Sequence, residues 1–148
     1  MLVLAAAVAP TAAVAATTLN VAPTGTDSAT CGPTATPCKT ISQAVTNASA
    51  GDTVSVAAGT YAEMVTIAKQ ITLQGASAAT TTIDATGKVN GVLLTSGSAG
   101  STVQGFTVKN ALGEGILAMQ TSNVTIQQNT VTANDKGAGT MATKECQD

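Results

Sequence analysis

The sequence predicts an all-β solenoid, in which short strands stack into a slender column, and three observations support this fold class. From Thr53 onward, apolar and polar residues alternate over very short runs that end at Gly, Asn, Ser or Asp, as half-buried strands do. A segment of the chain is repeated. The chain is 44% hydrophobic but only 1% aromatic, and a narrow coil filled by stacked Val, Ile and Leu has little room for rings.

The repeat lies in the C-terminal half of the chain. Residues 91–110 align with residues 115–134 at an offset of about 21 to 24 residues, which is within the range of solenoid repeats. The alignment places Val103 opposite Val124. It also pairs Val92 with Ile116 and Val108 with Val131. At this offset, residues 52–135 provide room for about three to four coils.

A short amphipathic helix is predicted at residues 41–51, before the strands begin. Its apolar residues recur at the spacing of one helical face, and this face is small, as suits a helix that covers the end of a column. The apolar positions are Ile41, Ala44, Val45 and Ala48. The predicted caps are Thr40 with Gln43, which have the spacing of a capping box, and Gly51, which can take the left-handed conformation that ends a helix.

The first residues have the composition of a secretory signal peptide. Residues 1–16 combine an apolar run with a small-residue cleavage sequence, Ala13-Val14-Ala15, although a basic n-region is missing. An apolar N-terminal strand or linker is the alternative. The run is too short to span a bilayer. We therefore expect a secreted or cell-surface protein, of bacterial origin, with no membrane contact after the signal is removed.

Residues 17–40 are predicted to form an N-terminal strand and a disulfide loop. Cys31 and Cys38 flank the segment GPTATP, and an oxidising compartment favours a disulfide between them. Metal ligation is the alternative, which the lack of histidine and of a CxxC motif disfavours. Cys146 has no predicted partner. Residues 136–148 lack an amphipathic helix or an apolar lid, so we expect a tail or the start of a further coil, in an N-terminal fragment of a longer protein.

The charge of the chain excludes two classes of partner. Six lysines and no arginine or histidine stand against eight acidic residues, for a net charge of −2. Binding of nucleic acid requires a positive stripe that neutralises phosphates, and an anionic membrane surface has the same requirement. We therefore expect no nucleic acid and no membrane partner. Only 9% of the residues are charged, so Thr, Ser, Asn, Gln and Ala must cover much of the surface.

Four segments of the N-terminal half, PTGTDS, PCKTISQAV, AGDTVSVAAGTY and ITLQG, resemble those of extracellular right-handed parallel β-helix proteins of the pectin lyase-like group. The resemblance extends over roughly residues 20–135 and includes SNVTIQQNTVTAND, with Asn129 and Asn134 at turns. It implies a right-handed parallel β-helix of about three to four coils, capped at its N-terminal end by a helix. In such proteins, the Gly-Thr-Tyr segment that ends at Tyr61 closes the first coil. The group includes lyases, hydrolases, epimerases, adhesins and non-catalytic repeats, so the resemblance implies a fold and no particular activity.

No residue is assigned a catalytic role by the sequence. Lyases of the pectin lyase-like group use an arginine as base, and this chain has none. The hydrolases need closely spaced aspartates, whereas those of this chain are far apart in sequence. Asp84 and the glutamate Glu114 could approach each other only if they lay on neighbouring coils. The aspartates considered are Asp27, Asp52, Asp84 and Asp135. No cofactor is expected either. Asn134 and Asp135 are the candidate ligands for calcium, with a simple turn as the alternative for this pair.

Three functions remain open at this level. The first is a non-catalytic secreted scaffold or carbohydrate-associated surface module with a polysaccharide or cell-surface glycan as partner. The second is a polysaccharide lyase or glycoside hydrolase whose catalytic coils are missing or degenerate. The third is recognition of ice by rows of threonine, which ATTTID and NTVTAND suggest. A groove lined by carboxylates and lysine would favour an enzyme, whereas a flat face of Thr, Ser and Asn would favour binding.

Overall fold

The computed structural model describes residues 15–137. In this range the chain forms one short helix and a series of short strands. The elements are β1 Thr18–Val21, α1 Ile41–Asn47, β2 Thr53–Val56, β3 Gly59–Tyr61, β4 Val65–Ile67, β5 Thr72–Gly75, β6 Thr81–Asp84, β7 Val92–Leu94, β8 Thr102–Gln104, β9 Thr107–Lys109, β10 Ile116–Ala118, β11 Thr125–Gln127 and β12 Thr130–Thr132.

The strands form three parallel sheets that share one column. Sheet A has the order β1-β2-β5-β8-β11, sheet B the order β3-β6-β9-β12, and sheet C the order β4-β7-β10. Every strand pair is parallel. From β2 onward the chain visits sheets A, B and C in turn, so that each full coil adds one strand to each sheet. The predicted parallel β-solenoid is confirmed; its right-handed sense, which parallel crossovers nearly always have, stays a prediction.

The core is a stack of aliphatic side chains from successive coils. In sheet A, Leu73 lies in register with Val54 on one side and Val103 on the other, and all three are fully buried. The matching inward rows are Tyr61, Ile83, Val108 and Val131 in sheet B and Val65, Val92 and Ile116 in sheet C. Burial of each aliphatic side chain stabilises the fold by about 1.5–3 kcal/mol. The column is thin because each strand contributes only one or two inward residues.

The predicted repeat is correct for two sheets and wrong for the third. Val92 pairs with Ile116 and Val108 with Val131, as the alignment predicts. In sheet A, however, Val103 pairs with Ile126 instead of Val124. A shift of two residues keeps the same side chains inward, so the hydrophobic pattern alone could not distinguish the two registers. The connection before β11, residues 119–124, is also one residue shorter than the equivalent connection before β8, residues 95–101.

Helix α1 packs its predicted apolar face against the start of the column. Ile41, Ala44 and Val45 are buried, and the helix contacts β1, β2 and β4. Thr40 is the N-cap, because its side chain accepts a hydrogen bond from the backbone N–H of Gln43. The reciprocal half of the predicted capping box does not form. The Gln43 side chain donates to Asn47, and Asp27 accepts from the Thr40 backbone N–H instead.

The predicted cap at Gly51 is wrong. The helix ends at Asn47, and Ala48, in an extended conformation, is the C-cap. Lys69 donates to the carbonyls of Thr46 and Ala48 at 3.2 and 2.7 Å, so a side chain from the next coil satisfies this end of the helix. Gly51 does have a positive φ of 93°, but it serves the turn into β2, where its N–H donates to the carbonyl of Gln70.

Several predictions fall outside the described residues. The signal sequence lies almost wholly in residues 1–14, and Cys146 and most of the 136–148 segment lie in residues 138–148. Between residues 15 and 137, no helix has the length and apolar character needed to cross a membrane.

Candidate functional site

The outer surface of sheet A carries a continuous row of threonines. One threonine comes from each of its five strands, and the strand pairing places them directly in register. These are Thr18, Thr53, Thr72, Thr102 and Thr125. Neighbouring members are separated by about 4.8 Å, the distance between hydrogen-bonded strands. Each is exposed or half-buried, so the row forms a regular line of hydroxyl groups at the surface.

A second row runs beside the first, two residues further along each strand. Its members all have an amide or a hydroxyl group and also lie in register. They are Asn20, Ser55, Gln74, Gln104 and Gln127. The side chain of Gln127 donates to that of Gln104 at 2.7 Å. The strands of sheet A contain no charged residue, and these ten side chains together define what we call the polar face.

Most hydrogen-bonding groups of the polar face are available to a ligand. Among residues 15–137, the hydroxyls of the threonine row and the side chains of Ser55 and Gln74 make no hydrogen bond to another side chain or to the backbone. Asn20 uses only its Nδ2, which donates to the carbonyl of Gly32 at 3.0 Å and contacts Thr34 Oγ1 at 3.4 Å. Amide and hydroxyl groups can both donate and accept, so the face can pair with either kind of partner group.

A disulfide loop borders the polar face at its N-terminal end. Cys31 and Cys38 are bonded, with a Cα–Cα distance of 4.9 Å, which confirms the predicted disulfide. The loop is fastened to β1, because Asn20 donates its backbone N–H to Gly32 and Cys38 donates to Asn20. Asn47 of the helix donates to the carbonyl of Cys31 at 3.0 Å. These bonds hold the loop as a fixed wall beside the second row.

Between this wall and the second row lies a shallow groove of about 260 Å³. We call it the loop groove. It is lined by Asn20, Ser55 and Gln74 from the second row, by Thr34 and Pro37 from the disulfide loop, and by small or apolar residues at or just after the ends of β1, β2 and β5.

Sheet B has a threonine row of its own but differs in the row beside it. Thr60, Thr82, Thr107 and Thr130 are in register on its outer surface. The next outward positions are occupied by Asp84, Lys109 and Thr132. The segments ATTTID and NTVTAND therefore belong to this charged face, and the rows of sheet A were missed by sequence reasoning.

Asp84 on β6 is the register partner of Lys109 on the neighbouring strand β9. It accepts hydrogen bonds from the backbone and side chain of Thr86 and from Asn110 Nδ2. These bonds, Thr86 first and Asn110 second, together with the charge of Lys109, lower the pKa of the Asp84 carboxyl. A general base needs a pKa near the working pH, so this environment weakens Asp84 as a proton acceptor. Glu114 adjoins Asn90, whose side chain accepts its N–H.

Three further carboxylates stabilise the N-terminal end of the column by accepting hydrogen bonds from backbone N–H groups. Asp27 accepts from the N–H groups of Lys39 and Thr40, and Glu63 accepts from the first N–H groups of helix α1. Asp52 accepts from Thr17 and Ser49 at 2.7 Å each. Burial raises the pKa of Asp52, but the hydrogen bonds from Thr17 and Ser49 outweigh it, so the pKa lies below its ordinary value. These groups are structural anchors.

The candidate calcium ligands, Asn134 and Asp135, lie in the connection that follows β12. Asn134 accepts from the N–H of Ala111 at 3.0 Å and donates to the carbonyl of Val108 at 3.1 Å, so both ends of its amide bind the preceding coil. Asn129 does the same with Phe106 and Val103, so both asparagine side chains bind backbone groups of the preceding coil. Asp135 is exposed and has a positive φ of 62°. Asp27 lies close to Cys31 and Cys38, but the disulfide occupies both sulfurs and leaves no thiolate to bind a metal.

Comparison with known protein families gives a match. The model of a protein family of unknown function, DUF1565, matches residues 23–75, and this family is associated with β-helix proteins. The matched segment covers the disulfide loop, helix α1, and β2 to β5. It includes Ser55 and Gln74 of the loop groove, whereas Asn20, on β1, lies before it. No curated protein and no solved structure matches the chain.

Proposed function

We propose that this protein is a secreted, non-catalytic scaffold that binds a glycan on the polar face of sheet A. The observation that carries this proposal is the pair of uncharged rows, one of threonines and one of amide and hydroxyl residues, in register across five strands. A glycan presents many hydroxyl groups, each of which can donate and accept, and the polar face presents matching groups at regular intervals.

The geometry of the face suits an extended ligand. Positions repeat at about 4.8 Å from strand to strand and at about 6.7 Å between the two rows along a strand. A single hydrogen bond contributes little in water, roughly 0.5–1.5 kcal/mol. Useful affinity therefore requires many contacts at once, which a linear polymer laid along the rows provides.

The placement of the aromatic residues limits the strength of each contact. Tyr61 and Phe106 are buried in the column, and Tyr61 donates its hydroxyl to the carbonyl of Ala57 at 2.9 Å. Burial first, and the charge of Glu63 second, raise the pKa of Tyr61 to about 12. Neither ring is available to stack on a sugar, so binding depends on the length of the ligand rather than on one strong site.

The proposal is tested with the purified chain and a panel of insoluble polysaccharides. Thr72→Lys on sheet A and Thr82→Lys on sheet B place the same charge on equivalent outward positions of neighbouring strands. We expect the native chain and Thr82→Lys to sediment with at least one polysaccharide, and Thr72→Lys to remain in solution. Equal sedimentation of both variants, or none by the native chain, would contradict the proposal. Release of unsaturated sugars from uronate polymers would instead establish the lyase alternative.

A second candidate is the binding of ordered water at an ice surface, which the five-strand threonine row favours. The row beside it counts against this candidate, because long glutamine side chains lose more conformational entropy on ordering than threonine does. Ice-crystal shape in a dilute solution of the chain decides the matter. Faceted crystals with the native chain and Thr82→Lys, but round ones with Thr72→Lys, would establish ice binding. Round crystals throughout would exclude it.

A further inference from the structure

The loop groove is an open concavity at the N-terminal end of the polar face. The disulfide loop forms one wall through Thr34 and Pro37, and Asn20, Ser55 and Gln74 form the other. Its volume of about 260 Å³ lies just below the ~300–1,000 Å³ range of pockets for drug-sized ligands. It is therefore large enough for one small ring and too small for several.

Polar groups with free hydrogen-bonding capacity converge on this groove. Within the described part of the chain, Ser55 Oγ and both ends of the Gln74 amide have no protein partner, and Asn20 keeps its Oδ1 free because only its Nδ2 is bonded. These groups provide at least two donors and three acceptors. They lie on neighbouring strands, with Asn20 opposite Ser55 and Ser55 opposite Gln74.

The groove lacks a cationic side chain that would neutralise an anion. No lysine lines it, and the chain has no arginine. Lys69, which comes just before β5, already donates to Thr46 and Ala48 at the end of the helix. A carboxylate placed in the groove would lose hydration without gaining a cationic partner, which is costly. The net charge of −2 also repels a polyanion.

From these observations we propose that the loop groove is a subsite for a single uncharged sugar ring, and that the glycan partner is a neutral polysaccharide rather than a polyuronate. This inference rests on the proposed function, since it assigns the ligand class of the same face. Asn20, Ser55 and Gln74 bind the ring hydroxyls, the disulfide loop covers one side of the ring, and the rest of the chain of sugars lies along the two rows.

The ligand class is tested with pairs of oligosaccharides that share a backbone and differ in the group at C6, which is charged in one member and uncharged in the other. One pair is an oligogalacturonate and its fully methyl-esterified form, and a second is a glucuronan oligomer and the glucan oligomer of equal length. We expect the uncharged member of at least one pair to bind, with a Kd at least roughly tenfold lower than that of its charged counterpart. Equal or tighter binding of the charged members overturns the inference and leaves glycan binding in place. If no oligosaccharide or polysaccharide binds, the proposed function fails as well.

The subsite is tested by substitutions inside and outside the loop groove. Gln74→Ala should raise the Kd for the neutral oligosaccharide by roughly two- to tenfold, since it removes one or two neutral hydrogen bonds. Gln127→Ala, on the same row but outside the groove, is the matched control and should have a smaller effect. Ser55→Lys should raise affinity for the charged oligosaccharide at the expense of the neutral one. Equal effects of Gln74→Ala and Gln127→Ala would show that the groove is not the subsite.

Discussion

Sheets A and B have the same backbone geometry and the same kind of threonine row, yet they present different surfaces. On sheet A, the row beside the threonines is Asn, Ser and Gln throughout, whereas on sheet B it includes Asp84 and Lys109. Threonine is a favourable residue on any exposed strand, so a row of threonines does not by itself identify a binding face. The difference between the sheets lies in the second row, and this row is the reason why we propose sheet A, and not sheet B, as the face that binds a glycan.

The largest effects should come from the core, which the two sheets share. Leu73→Ala behind sheet A and Ile83→Ala behind sheet B each remove a fully buried side chain and should lower the free energy of unfolding by about 2–5 kcal/mol. The outward controls Thr72→Ala and Thr82→Ala should change it by no more than about 0.5 kcal/mol. Urea denaturation measures all four. A small effect for either core variant would contradict a single column with both sheets packed on it.

The disulfide loop is a feature of sheet A alone, and its removal should be the next largest effect. Replacement of both Cys31 and Cys38 by serine should lower the free energy of unfolding by about 2–3 kcal/mol, from the loop-closure entropy of a short loop. Binding of the neutral oligosaccharide should weaken at the same time, since the wall of the loop groove is loosened. A reducing agent added to the native chain should reproduce both changes. Unchanged binding in the reduced, folded chain would contradict the role given to this wall.

On the inner side of sheet B lies an unsatisfied polar group. Thr81 is fully buried, and its hydroxyl has no hydrogen-bond partner among the described residues. Thr81→Val replaces this hydroxyl with a methyl group and should raise the free energy of unfolding by about 1 kcal/mol. The exposed control Thr130→Val should have almost no effect. A loss of stability in Thr81→Val, measured by thermal unfolding, would indicate a partner for the hydroxyl.

The smallest expected effect is a pH dependence of stability, which should involve the charged face of sheet B and not the polar face of sheet A. Because hydrogen bonds lower the pKa of Asp84 in the folded chain, its carboxylate stabilises the fold above the ordinary aspartate pKa of about 3.9, and this contribution disappears as the pH falls through the lower, folded pKa. The native chain should therefore be more stable than Asp84→Asn at neutral pH, and the difference should shrink in acid. Glycan binding to the polar face should not vary over the pH range in which the fold persists, since that face does not titrate. A difference that grows in acid would reverse the sign assigned to Asp84.

The column could be predicted from the sequence because a strand has a period of two whatever its surroundings. The inward positions, such as Val54, Leu73 and Val108, follow directly from this pattern and are buried. The register of sheet A was harder to predict from the sequence, since the same residues face inward whether Val103 pairs with Val124 or with Ile126. Capping was partly predictable: Thr40 was identified correctly, but the bonds made by Asp27 and Lys69 come from distant segments.

The polar face could not be found by a search for a constant repeat. Successive threonines of the row, Thr18, Thr53, Thr72, Thr102 and Thr125, are 35, 19, 30 and 23 residues apart, because the connections between the coils differ in length. A local signal was nevertheless present. Each strand of sheet A has a threonine, then an aliphatic residue, then Asn, Ser or Gln, and only the fold shows that these five short patterns are neighbours.

Chemical-shift mapping of the side-chain amides during titration with a neutral oligosaccharide shows which face binds the ligand, because the two faces carry separate amide probes. Gln74, Gln104 and Gln127 report on sheet A, and Asn110, which donates to Asp84, reports on sheet B. We expect the glutamine signals to shift, most of all that of Gln74, while the Asn110 signal stays in place. A shift of Asn110 with unchanged glutamine signals would place the ligand on the charged face and contradict the account.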